Sequence, residues 1–243
     1  MTASIAQRSP FFSATSHHEV VEQLGWFVFG AAGAFAVPFV FADRLDLNAN
    51  LYYLLYFTAV VLFLAAYLKA THVEARAILT RRWVWSAAIG LPVAAFVVAN
   101  VLREDATARP EGLAFAWALF WRGLVYGAVD ALLLSGFPAV VAWSVLGRQL
   151  RGARRVTAFV VLSLVLTVGI TATYHWGYGQ YRDHGVGSKG IGGPEIGNTV
   201  MSLPTVATVN PLGSVIAHVA MHVGAVSHAY ETDVFLPPQA AAD

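Results

Sequence analysis

Val156–Trp176 reads VTAFVVLSLVLTVGITATYHW, a run of 21 residues without Asp, Glu, Lys, Arg or Pro. At 1.5 Å per residue such a run is about 30 Å long as a helix, the thickness of a bilayer's hydrocarbon core. In lipid the backbone must satisfy its own hydrogen bonds, so a single apolar span of this kind is read as a transmembrane helix. Working outward, similar windows occur at Gly25–Ala42, Leu51–Leu68, Trp83–Leu102 and Leu124–Leu146, with a sixth, more polar one at Leu212–Tyr230. The fold class expected is therefore all-α: a polytopic transmembrane helical bundle of about six spans. Residues 1–24 read as a polar N-terminal tail, 25–230 as one transmembrane domain and 231–243 as a C-terminal tail.

Composition agrees. The 243 residues are 57% hydrophobic and only 12% charged, against roughly a quarter charged in an average globular domain. A net charge of +1 argues against nucleic-acid binding, which needs a basic surface to neutralise phosphates. The absence of cysteine excludes disulfides, thiolate metal sites and a cysteine nucleophile. The first window follows a polar stretch containing His17, His18, Glu19 and Glu22, which does not resemble a cleavable signal. The N-terminus is expected to be retained, with His17 and His18 in a solvated tail.

Orientation follows from the basic residues, which favour cytoplasmic loops. Lys69, Arg76, Arg81 and Arg82 occupy one interval, and Arg148, Arg151, Arg154 and Arg155 another. The alternate intervals mix Arg44, Arg103 and Arg109 with Asp43, Asp46, Glu104, Asp105 and Glu111. Six spans with both termini cytoplasmic satisfy every interval. The Arg148–Arg155 cluster reads as a topogenic signal rather than a headgroup site. Trp and Tyr near the window ends, among them Tyr52, Tyr53, Trp83 and Trp176, read as interfacial anchors. Arg122, beside Trp121, reads as a snorkelling arginine at a boundary.

Between the last two windows lies a glycine-rich stretch, Gly177 to Asn198, read as a loop. Thr199–Asn210 is apolar but too short to span and is broken by Pro204, so it is expected to be a re-entrant element or half-helix.

Ionisable groups inside apolar windows are costly and usually have a partner or a task. Asp130 stands in the fourth window, His175 closes the fifth, and His218 and His222 lie in the sixth with Ser214 one turn earlier. A spacing of four places His218 and His222 on one helix face, a geometry that grips one ion. Imidazole suits zinc and other transition metals, and three ligands with an open position make a catalytic site. With the fourth and sixth windows running inward and the fifth outward, Asp130, His175, His218 and His222 fall within roughly 15 Å of one depth, under Glu195 and Asn198. A structural histidine pair or a proton relay remains the alternative.

The motif order resembles the CAAX-protease and bacteriocin-processing family of intramembrane metalloproteases. That family has paired glutamates before an Arg-Gly, then Phe-x-x-x-His, then His-x-x-x-Asn or Asp. Here Arg122-Gly123, Thr171-x-x-x-His175 and His218-x-x-x-His222 resemble those segments, while Trp117 and Ala118 stand where the glutamates would fall. His218-x-x-x-His222 is also similar to the last-helix motif of the ceramidase and adiponectin-receptor-like hydrolases, which hold zinc.

The function expected is a metal-dependent intramembrane hydrolase acting on a peptide or lipid-linked bond in the extracytoplasmic half of the bilayer. His175, His218 and His222 would hold a divalent metal, most simply zinc. Asp130 or Glu195 would be the fourth ligand or general base, and Ser214 and Asn198 oxyanion donors. The alternative is a transporter, proton-relay or accessory subunit.

Overall fold

The structure, a computed structural model, describes residues 17–148, 150–186, 190–231 and 234–237, and no strand occurs among them. Five helices are long and apolar enough to cross a membrane: α1 His17–Arg44, α2 Ala49–Ala70, α4 Trp83–Val101, α5 Gly112–Val145 and α6 Ala153–Trp176. Two short helices, α3 Ala75–Thr80 and α7 Gly179–His184, lie in connections. Two helices of 17 residues complete the bundle, α8 Gly192–Thr208 and α9 Leu212–His228. Each is about 26 Å long at 1.5 Å per residue.

α5 is the hub. Of its most apolar window 78% is buried inside the protein, against 22–33% for the other four long helices. Those four turn Val28, Phe29, Leu62, Trp85, Phe96 and Val165 outward, as helices facing lipid do. α5 begins at Gly112, well before the expected Leu124. Arg122, read as a boundary residue, is instead buried within the helix with its guanidinium 5.1 Å above the Tyr230 ring.

Contacts between connections define the two ends of the bundle. At one end Tyr67 Oη donates to Gln23 Oε1, Arg148 donates to the Thr71 carbonyl, and Asn210 Nδ2 reaches the carbonyls of Ile78, Leu79 and Arg81. At the other, Arg182 pairs with Asp43 at 2.7 Å, and His228 Nε2 donates to the Glu104 carbonyl.

α8 and α9 therefore each pass from one end to the other. The expected half-helix over Thr199–Asn210 is a full helix that begins at Gly192, inside the stretch read as a loop. Its internal Pro204 packs its ring against Gly213, where a Cβ would collide, and the Pro204 carbonyl accepts from Thr208 Oγ1. This extra passage reverses α9, which runs from Ser86 toward Glu104 alongside α4 and antiparallel to α5. The described chain thus starts at the Arg81 end of the bundle, and Val234–Pro237 lie at the opposite end.

α9 sits close to its neighbours because small residues remove the obstacle. A side chain at Gly90 would meet the Gly213 backbone, and one at Gly127 would meet Val219 Cα. Close backbone approach of this kind substitutes for the hydrophobic drive that lipid does not supply. Ser86 adds a polar clamp, donating from Oγ to the Asn210 carbonyl and accepting from Gly213 N.

Candidate metal centre

α5 departs from regular helix on both sides of Asp130. π-helical turns span Leu119–Val125 and Leu132–Gly136, with an ordinary turn, Tyr126–Ala131, between them. Bonding five residues apart instead of four rotates later residues back, and such turns recur at functional sites. The second one brings Ser135 toward the same partner as Asp130, namely His218.

Asp130 is buried, and its two carboxylate oxygens face different ways. Oδ1 accepts from Tyr56 Oη at 3.1 Å. Oδ2 lies 3.3 Å from His218 Nδ1 and 3.8 Å from His222 Nε2. One ligand atom from each of the three residues falls within 4.8 Å of the others.

The histidines are only 1% and 3% exposed, yet among the described residues neither His218 Nδ1 nor His222 Nε2 has an aligned hydrogen-bond partner. Although His218 Nδ1 approaches Asp130 closely, it lacks hydrogen-bond alignment. Buried polar atoms are nearly always satisfied, so two such nitrogens beside a carboxylate call for an explanation. His218 Nε2 does find a partner, Ser135 Oγ at 3.4 Å. Ser135 is in turn linked to Ser202 Oγ at 2.7 Å and to Asn198 Oδ1 at 3.3 Å. Metal-binding imidazoles characteristically engage a partner through the nitrogen that does not ligate.

A cavity of about 350 Å³ opens beside this group. Asp130, His175, His218 and His222 line it together with apolar side chains such as Met201 and Met221, and the segment Val234–Pro237 forms part of its wall. That segment was expected to be a tail.

The candidate residues divide. Asp130, His218 and His222 converge. His175 shares the cavity but stands outside the ligand group: its Nδ1 donates to the Thr171 carbonyl at 2.9 Å, and its ring is held between Tyr174 and Tyr181. Asn198 also lines the cavity, with its amide donating to Thr171 Oγ1 at 2.6 Å and accepting from Ser135. Ser214 bonds Thr205 Oγ1 at 2.6 Å and does not line the cavity. Glu195 belongs to neither the ligand group nor the cavity wall; its buried oxygens have no hydrogen-bond partner among the described residues.

The sequence reading passed over Ser135, Tyr56 and a chain of phenols. Tyr126 Oη bonds Tyr174 Oη at 2.6 Å, Tyr174 bonds Tyr178 at 2.7 Å, and Tyr178 bonds Tyr52. The Tyr126 ring meets His222 edge to face, with centroids 4.7 Å apart. The pairs Tyr52/Tyr56 and Tyr174/Tyr178 share a spacing of four, a signal of one-sided placement that the interfacial reading overlooked.

Comparison with family models, curated proteins and solved structures finds no match for this chain.

Proposed function

We propose that the protein is a metal-dependent hydrolase whose centre, Asp130–His218–His222, acts inside the bilayer on a peptide or lipid-linked bond. The observation that carries this reading is the convergence of unpartnered buried imidazole nitrogens on one carboxylate oxygen. Two histidines and a carboxylate, with the remaining side open to a cavity, fit a catalytic zinc site. A divalent ion bound there supplies Lewis acidity and makes water nucleophilic near neutral pH. Asp130 Oδ2, His218 Nδ1 and His222 Nε2 would hold it, while Tyr56 and Ser135 orient Asp130 and His218. His175, whose Nε2 is left as an acceptor when Nδ1 donates to Thr171, takes up a proton from the cavity.

The apolar wall favours a substrate with hydrocarbon character. The resemblance to the CAAX-protease and bacteriocin-processing family supports a hydrolytic role for His175 and His218, with Asp130 supplying the carboxylate in place of the glutamates. The arginine distribution assigns the Arg81 end to the cytoplasm, so Val234–Pro237 lies on the opposite side and the centre faces the extracytoplasmic half.

Metal analysis of the purified full chain tests this. One equivalent of divalent metal in wild type, lost in His218→Ala and His222→Ala, is the expected result. Metal-free wild type after metal supplementation, or unchanged content in both variants, overturns it.

A second reading, proton relay without hydrolysis, draws on the phenol chain from Tyr52 to Tyr126. Proton flux in proteoliposomes that disappears in Asp130→Asn and Tyr174→Phe would favour it.

A further inference from the structure

At the bundle end opposite Val234–Pro237, a cavity of about 480 Å³ is built from three separated parts of the chain. The turn after α2 contributes His72 and Glu74, the α3–α4 junction contributes Arg81 and Arg82, and the segment after α5 contributes Arg148 and Arg151. Four arginines thus face one carboxylate among the residues of the wall.

Two further features separate this cavity from an ordinary basic loop. Arg81 is held inward, its Cζ 5.5 Å above the Trp143 ring, with a buried Nε that has no hydrogen-bond partner among the described residues. Burial, followed by the neighbouring Arg82, pulls the Arg81 guanidinium below its ordinary value. The backbone is also committed. Among the described residues five that are not glycine have positive φ, and three of them, His72 at 51°, Arg82 at 45° and Arg148 at 57°, line this cavity. Left-handed conformation at such residues is disfavoured and clusters where a site must be shaped.

A topogenic role requires basic charge on the correct side of the membrane. It does not require guanidiniums from separate segments to converge on one concavity, nor strained backbone to hold them there. We propose that this cavity is a binding site for a phosphate group, separate from the Asp130 centre and independent of its proposed chemistry. Guanidinium forks match phosphate oxygens in bidentate geometry, and four of them offset the charge of a phosphate mono- or diester. Arg148 already spends one donor on the Thr71 carbonyl, which anchors the group at the rim and leaves its other nitrogens available. Trp83 and Trp85 are exposed on the adjoining start of α4, at the level where aromatic side chains meet lipid headgroups. The phosphate can therefore belong to an acidic phospholipid or to a soluble anion.

The test uses the full chain in phosphatidylcholine nanodiscs, with and without phosphatidylglycerol, and a parallel titration with inorganic phosphate. Bound lipid is counted by native mass spectrometry and binding is followed by thermal shift. Wild type should retain phosphatidylglycerol, or shift with inorganic phosphate, and the arm that responds identifies the source. Arg81→Gln and Arg148→Gln should each weaken binding about tenfold, the scale of one lost charged hydrogen bond. Arg154→Gln and Arg155→Gln, in the same basic cluster but outside the cavity wall, should leave binding unchanged. Arg148→Lys, which keeps charge and fold but loses the fork, should also weaken it, so the inference survives a misfolded glutamine variant. No response in either arm overturns the proposal, as does an equal loss from Arg154→Gln and Arg148→Lys.

Discussion

His218 Nδ1 stands 3.3 Å from Asp130 Oδ2 across two antiparallel helices, close enough for a charge pair yet without hydrogen-bond alignment. A bound cation between them would satisfy both atoms and His222 Nε2 together. Removing metal with a chelator should therefore lower Tm. Metal restored at about 100 times its Kd should return about 2.7 kcal/mol of stability. Asp130→Asn should show no metal-dependent change in Tm, which thermal melting of the purified protein checks.

Tyr56 and Ser135 touch Asp130 and His218 through the atoms that face away from the proposed metal. Tyr56→Phe and Ser135→Ala should each weaken metal binding by about 10- to 100-fold while leaving helix content intact. Competition with a chromophoric chelator measures the first quantity and circular dichroism the second. Unchanged affinity in both would show that these hydroxyls do not orient Asp130 and His218.

The Gly213 position has no room for a methyl group, since Ser86 O and Pro204 Cβ occupy the space. Gly213→Ala should destabilise the fold by about 1–3 kcal/mol through overpacking. Gly33→Ala, where nothing lies within 4 Å, should be neutral, and a melting comparison of the two variants decides.

Asn210 is fully buried, joins the α8–α9 turn to the α3 carbonyls, and accepts from Leu212 N at 2.9 Å. Asn210→Ala strands these groups and should cost about 1–3 kcal/mol. A Tm equal to wild type would remove Asn210 from the set of stabilising contacts.

Because the chain has no cysteine, single cysteines report topology cleanly. Ala75→Cys and Glu231→Cys should react with an impermeant maleimide from opposite faces of a sealed membrane. Labelling from the same face would restore the arrangement of six spans.

Much of this architecture is legible locally. The apolar windows announce the long helices because bilayer solvation acts on each segment separately, and Asp130, His218 and His222 stand out because ionisable groups are rare there. Their shared depth also survives the reversal of α9, since Asp130 and the histidines lie near the middle of their helices, where changing direction moves them little.

What local reading misses is α8. Asn198, Ser202 and Thr205 make it look too polar to cross, but Ser135, Thr171 and Ser214 satisfy them from other helices. Hydropathy cannot register a partner that is distant in sequence. His175 has the right residue type and depth, but its Nδ1 is taken by the Thr171 carbonyl one turn earlier in its own helix.

The sequence alone thus determined an all-α membrane bundle and a small set of buried ionisable residues, because those depend on burial cost residue by residue. Only the packing of the helices shows which of them converge, which way α9 runs, and that four arginines from two segments share one cavity. Those are relations between surfaces, set by where Gly90 meets Gly213 and Asn210 meets the α3 carbonyls.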